Sequence, residues 1–150
     1  MILGLALHIL AAIIWVGGMF FAHQALRPAL GPVDPAIRLP IWRHTLERFF
    51  RWVWLAIVTL LVTGWGIVYA YFGGFEHLGL HIHIMQGTGI LMMLLFFHLY
   101  FAPWKRFRRA VDAEDFTQAA AQLAQIRRIV GINLVLGLLT AVIGATGRYW

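Results

Sequence analysis

Four apolar runs, each about as long as a bilayer is thick, constrain this chain more than any other feature. They cover roughly residues 2–22, 52–72, 82–102 and 129–145. A hydrocarbon core of about 30 Å needs roughly 20 consecutive apolar residues of helix. Only 12% of the residues are charged and the mean hydropathy is +0.78, where a soluble domain carries about 25% charged residues. The reading is an all-α integral membrane protein. Its single domain, residues 1–150, forms a four-helix bundle with antiparallel, up-down spans.

The basic residues report orientation. Eleven of the twelve lie in the connections after spans one and three or at the edges of the adjoining spans, among them Arg27, Arg38, Arg43, Arg127 and Arg128. The connection between spans two and three has no Lys or Arg, only Glu76, His77 and His81. The positive-inside rule therefore places the arginine-rich side in the cytoplasm. The expected location is a bacterial inner membrane, with the protein multi-pass and both termini periplasmic. The net charge of +6 is read as topogenic, so no nucleic-acid partner is expected. The first run lacks a basic leader and a small-x-small cleavage site, so it reads as a permanent span rather than a signal peptide. With no cysteine, disulfides, thiolate metal sites and iron–sulfur clusters are excluded.

Pro28, Pro32, Pro35 and Pro40 read as an extended connection, with helix resuming near Thr45 and running into span two. After span three, Asp112 reads as the cap of a helix whose first turn holds Glu114 and Asp115. Small residues, among them Gly64, Gly66, Gly87, Gly89, Gly131, Gly137 and Gly144, are expected at the helix contacts.

Span one is two-faced. At 100° per residue, Ala11, Ala12, Trp15, Gly18, Met19 and Ala22 share a face with His8, while Leu10, Ile13, Ile14, Phe20 and Phe21 fall opposite. An imidazole in a spanning helix is expensive and marks a functional site by default. Span three carries a matching pair. An offset of 75 superposes His8 on His83 and His23 on His98, and an offset of 77 superposes Thr63 on Thr140. This skeleton is consistent with a 2+2 internal repeat.

Two histidines 15 residues apart on a helix are separated by about 22 Å and 60°. If spans one and three stand level, His8 meets His83 near the outer surface and His23 meets His98 near the inner one. Bis-histidine pairs on parallel helices suit b-type haem. One haem, on the outer side, is favoured over two, with Trp15 and Gly18 lining the cofactor. A second cluster, His77, His81, His83 and Met85, has donors acceptable to copper. The other tryptophans fit an interfacial belt. The acids, all in loops or at helix ends, exclude a carboxylate pair inside the membrane.

The segments LHILAAIIWVGGMFF (residues 7–21) and RFFRWVWLAIVTLLVTG (48–64) resemble the copper resistance protein D (CopD) domain family. Together with HLYFAPWKRFRR (98–109), the layout is also similar to HemJ-type protoporphyrinogen oxidases, small four-span membrane proteins that bind haem. The resemblance implies His8 as the required span-one histidine and His98 as the histidine ending span three. Those oxidases carry His-x-Lys at the start of span three, whereas HIHIMQGTG (81–89) has no lysine. The functional expectation is therefore a haem-b electron-transfer protein or oxidoreductase without an assigned substrate. A quinone or small redox partner, membrane lipids and a second copy are its candidate partners. The alternatives are a copper-handling or transport protein and a cofactor-free assembly subunit.

Overall fold

The structure, a computed structural model, describes residues 2–149, with the side chains of residues 77 and 148 left aside. Among the described residues all regular structure is helical. Helix α1 (Ile2–Phe21) runs on through a π turn (Ala22–Leu26) and a last short turn (Arg27–Ala29). Then come α2 (Pro35–Phe72), α3 (Leu80–Phe101), α4 (Pro103–Asp112) and α5 (Phe116–Thr146). Among the described residues, four helices are long and apolar enough to cross a membrane: α1, α2, α5, and α3 with its extension α4.

Helix α2 has 38 residues, about 57 Å at 1.5 Å per residue, nearly twice the hydrocarbon thickness. It starts earlier than the proline spacing suggests. The Asp34 carboxylate accepts from the Ala36 N–H at 2.8 Å, and Pro35 takes the first helical position, where its missing N–H costs nothing. Pro40 then sits within the second turn, where it removes one backbone bond from a helix start that is already short of partners. At the other end Gly73, at φ 71°, closes α2 through its N–H to the Val68 carbonyl, a left-handed cap that suits glycine.

The basic stretch after Pro103 is also a helix rather than a loop. In α4, Trp104, Phe107, Ala110 and Val111 are buried while Lys105, Arg106 and Arg109 are exposed. Asp115, not Asp112, caps α5, accepting from the Gln118 N–H at 3.0 Å. Asp112 instead ends α4 and pairs with Arg43 Nε at 2.9 Å, linking α4 to α2.

Helix α1 packs against α2 and α5, and α3 packs against α5. Helices α2 and α3 meet through aromatic rings: Trp54 stacks on Phe97 at 5.3 Å, and Phe50 lies edge-on to Phe96 at 5.5 Å and to Trp104 at 5.1 Å. Across the bundle, Trp15 reaches Phe96 at 6.2 Å. The two faces of span one are as the periodicity predicts. Ala11, Trp15, Met19 and Ala22 are buried, and Leu10, Ile13, Ile14, Phe20 and Phe21 are exposed to the lipid side.

The small residues divide. Gly18 lies under the Phe49 ring, Gly137 against Val16 and Met92, and Gly144 against Met85. Gly17, Gly66, Gly87 and Gly89 have open space where a side chain would go, so they are not contact residues of this bundle.

Candidate cofactor site

His8 lies in the half of α1 farthest from the arginine-rich end, partly buried against α2. Its Nδ1 is 2.9 Å from the Thr63 hydroxyl oxygen. That hydroxyl in turn donates to the Thr59 carbonyl at 2.6 Å. A hydroxyl has one hydrogen to give; with it committed to Thr59, Thr63 can only accept from the imidazole. His8 therefore carries its proton on Nδ1 and keeps the Nε2 lone pair free. This is the arrangement of a metal-ligating histidine, whose ring and tautomer are set by the bond its other nitrogen makes. The ring also lies over Gly64, where an added Cβ would stand 3.3 Å from Cε1. Helix α2 thus presents the Thr63 hydroxyl, held by the Thr59 carbonyl one turn earlier, and the neighbouring Gly64 as a seat for a single imidazole.

His8 and His83 make no direct contact with each other. Helix α1 lies along α2 and α5 rather than along α3, and His83 is exposed on α3. Two turns further along, Trp15 of α1 reaches Phe96 of α3 across the bundle. His23 and His98 likewise make no direct contact. His98 is exposed in the last turn of α3, while His23 sits on the π turn against α5. Its Nε2 is 3.5 Å from Arg27 Nη1, and a Cβ at Gly131 would lie 3.2 Å from that same nitrogen. The Nε2 atom of His23 is thus hemmed in where that of His8 is free.

The remaining candidates are scattered. Trp15 is buried against Phe96 as a core residue, and Gly18 is covered by Phe49. Neither faces His8. His81 lies against the backbone of Gly79 and Gly147, and Met85 lies over Gly144 of α5. His77, named with them as a copper donor, has its side chain outside the described residues. Among the described residues no three His, Cys, Asp or Glu side chains gather closely enough to hold a metal ion.

Thr63, named in the sequence only as the match to Thr140, is the side chain that meets His8; Thr59 contributes its backbone carbonyl, its own hydroxyl donating to the Leu55 carbonyl at 2.8 Å. The signal for Thr63 is a hydroxyl with a glycine beside it in an otherwise apolar span. The second half of the chain supplies a contrast. Thr140, which matches Thr63 at an offset of 77, has its hydroxyl 2.7 Å from that of Thr88 and 2.7 Å from the Leu136 carbonyl. There a second threonine stands opposite, and no histidine is engaged.

Four long apolar helices with an imidazole held between the first two define a polytopic helical membrane protein. More particularly, the chain belongs to the copper resistance protein D (CopD) family, whose model matches residues 43–146. The match begins in α2, so Thr63 and Gly64 fall within it and His8 precedes it. The chain is also similar to an uncharacterized protein of Aquifex aeolicus (strain VF5), 29% identical over 145 residues, covering 96% of this chain and 92% of the relative. No solved structure matches the chain significantly.

Proposed function

We propose that this protein binds one b-type haem through His8 Nε2 and passes electrons between a quinone or small redox partner and the outer face of the membrane. The observation that carries the reading is the His8–Thr63–Thr59 chain, which fixes one imidazole as a ready ligand. A bare metal ion needs three or four protein donors. A metalloporphyrin brings four nitrogens of its own and asks the protein only for axial ligands. One seated imidazole without converging companions fits the second requirement. When bound, haem supplies one-electron chemistry, and the protein tunes it through the axial ligand and its hydrogen bond.

The chain's own residues have definable parts in this. Thr63 holds the Nδ1 proton and raises the basicity of Nε2. Gly64 lets the ring lie close to the α2 backbone. The half of the bundle around His8 is thinly packed: among the described residues of 2–10, 60–72, 80–90 and 138–147, only Val68 and Gly147 are buried. A large planar group can be accepted there without displacing a formed core.

The copper reading suggested by the family's name fits this chain less well. His81 and Met85 lie against the end of α5, at Gly147 and Gly144, while His83 is exposed, and two donors are fewer than a bare copper ion takes from a protein. We therefore derive no copper chemistry from them.

The test is an absorption spectrum of the full-length protein purified from cells supplied with a haem precursor. The reading expects a Soret band and a sharp reduced α-band, both lost or shifted in His8→Ala. Stoichiometric copper, lost on His81→Ala and unaffected by His8→Ala, would replace it with the copper reading.

A further inference from the structure

A different feature of the molecule carries a second binding site, independent of the haem reading. At the arginine-rich end, a cavity of about 610 Å³ opens between the π turn of α1 and helix α5. Its upper wall is His23, Arg27, Arg127 and Arg128, and its floor includes Gly131 and Val135. None of the chain's six acidic residues lines it. The ion pairs among the described residues engage Arg43 alone, with Glu47 and Asp112. Arg127 is near enough to be repelled by Arg27 and by Arg38, so like charges gather at the cavity, with no acidic side chain among the described residues that line it.

The layout along α5 identifies what does. From Arg127 to Val135 is eight residues, about 12 Å along the helix axis. The cations stand at one end, and the floor runs from them toward the membrane interior, where Ile132 and Val135 are 47% and 57% exposed to the lipid side. The volume is roughly twenty times the ~30 Å³ share of one water molecule, far more than an inorganic anion fills. A ligand with an anionic head and an apolar body meets both parts at once. The positive-inside rule places this end in the cytoplasmic leaflet, where anionic phospholipids are the abundant molecules of that kind, and basic pockets between spanning helices hold their head groups.

The π turn explains why the cavity exists. A single wide turn, closed by the Arg27 N–H on the Ala22 carbonyl, carries His23 and then Arg27 toward α5, and π turns occur frequently at functional sites. We infer that the cavity formed by Arg27, Arg127, Arg128 and the apolar floor of α5 binds one anionic phospholipid, its phosphate between the three guanidiniums and an acyl chain along Ile132 and Val135. The site would anchor α1 to α5 where their contact is otherwise open.

The experiment is native mass spectrometry of the full-length protein in neutral detergent. Phosphatidylglycerol or phosphatidylcholine is added, with inorganic phosphate as competitor. Phosphatidylglycerol should be retained at least tenfold better than phosphatidylcholine, on the order expected for clustered cations facing an anionic head group, and millimolar phosphate should not displace it. Arg127→Gln/Arg128→Gln should weaken retention roughly 30-fold, from two guanidiniums removed. Arg106→Gln/Arg109→Gln, on the exposed face of α4, should change it by less than about twofold. Should the first double variant fail to fold, Arg27→Gln alone should weaken retention roughly fivefold.

Equal retention of the two lipids overturns the proposal, as does equal loss in the two double variants, which would mean diffuse surface charge. Displacement by phosphate would mark a free-phosphate site. Two haems per chain with lipid excluded would assign the cavity to a second haem instead.

Discussion

At the arginine-rich end of the bundle, Phe50, Trp54, Phe96, Tyr100 and Trp104 interlock edge to face, and α4 seals them from below. At the opposite end the helices meet through single polar contacts: His8 on Thr63, and Thr140 on Thr88. The first end is a core in the ordinary sense, dense, aromatic and mostly buried. The second is held by hydroxyls and glycines, with little buried around them. Helix association in lipid gains nothing from apolar burial as such and depends on fit and on hydrogen bonds. The aromatic end supplies the fit. That leaves the opposite end to hold an imidazole by one hydrogen bond.

The comparison can be broken where it is strongest. Phe50, only 2% exposed, touches Phe96, Tyr100 and Trp104, so Phe50→Ala should cost about 3–5 kcal/mol. Thermal or denaturant unfolding in detergent measures this, and a loss below about 1 kcal/mol would mean the aromatic cluster is not what holds the bundle. Gly18→Ala comes next. Its new Cβ would press into Phe49, and overpacking of this kind costs about 1–3 kcal/mol. The same unfolding assay should show it melting well below the wild type.

Thr63→Val sharpens the other end. It removes the acceptor of His8 while keeping the shape of the side chain, so folding should change little. Haem affinity, read by titrating haem into protein freed of it, should fall about 10- to 100-fold, the range for losing such a partner. Thr140→Val should leave that affinity unchanged. The smallest effect belongs to Gly66→Ala. Open space surrounds that position, so the better helix former should stabilise the protein by up to about 1 kcal/mol, in contrast to Gly18→Ala of identical chemistry.

Much of the fold was legible in the sequence because membrane spans announce themselves by length and hydropathy, and span one announced its buried face by period. The proline-rich connection was less legible. Asp34 and Pro35 form a good helix start that outweighed the breaking tendency of Pro40, so α2 begins earlier than proline spacing implies. The KRFRR stretch looked like a loop because its charges dominate its composition; only the positions of Trp104, Phe107 and Val111 reveal the buried stripe of α4. For the site, His8 stood out as an intramembrane imidazole, but its partner could not be read from helix direction alone. Parallel spans suggested His83, whereas the structure sets His8 against Thr63 of α2. The role of Thr63 depended on a tautomer, which only the geometry of its hydroxyl fixes. Arg127 and Arg128 were read as orientation signals, and it took the π turn beside them to show a cavity.

The central claim is that His8 is a fixed axial ligand, and haem stoichiometry tests it most directly. A pyridine haemochrome assay on the wild type, His8→Ala and His83→Ala, each purified under the same haem supply, gives the answer. The account predicts a wild-type ratio near one haem per chain, retained in His83→Ala and abolished in His8→Ala. A colourless wild type, or His8→Ala protein with its full complement of haem, would contradict it.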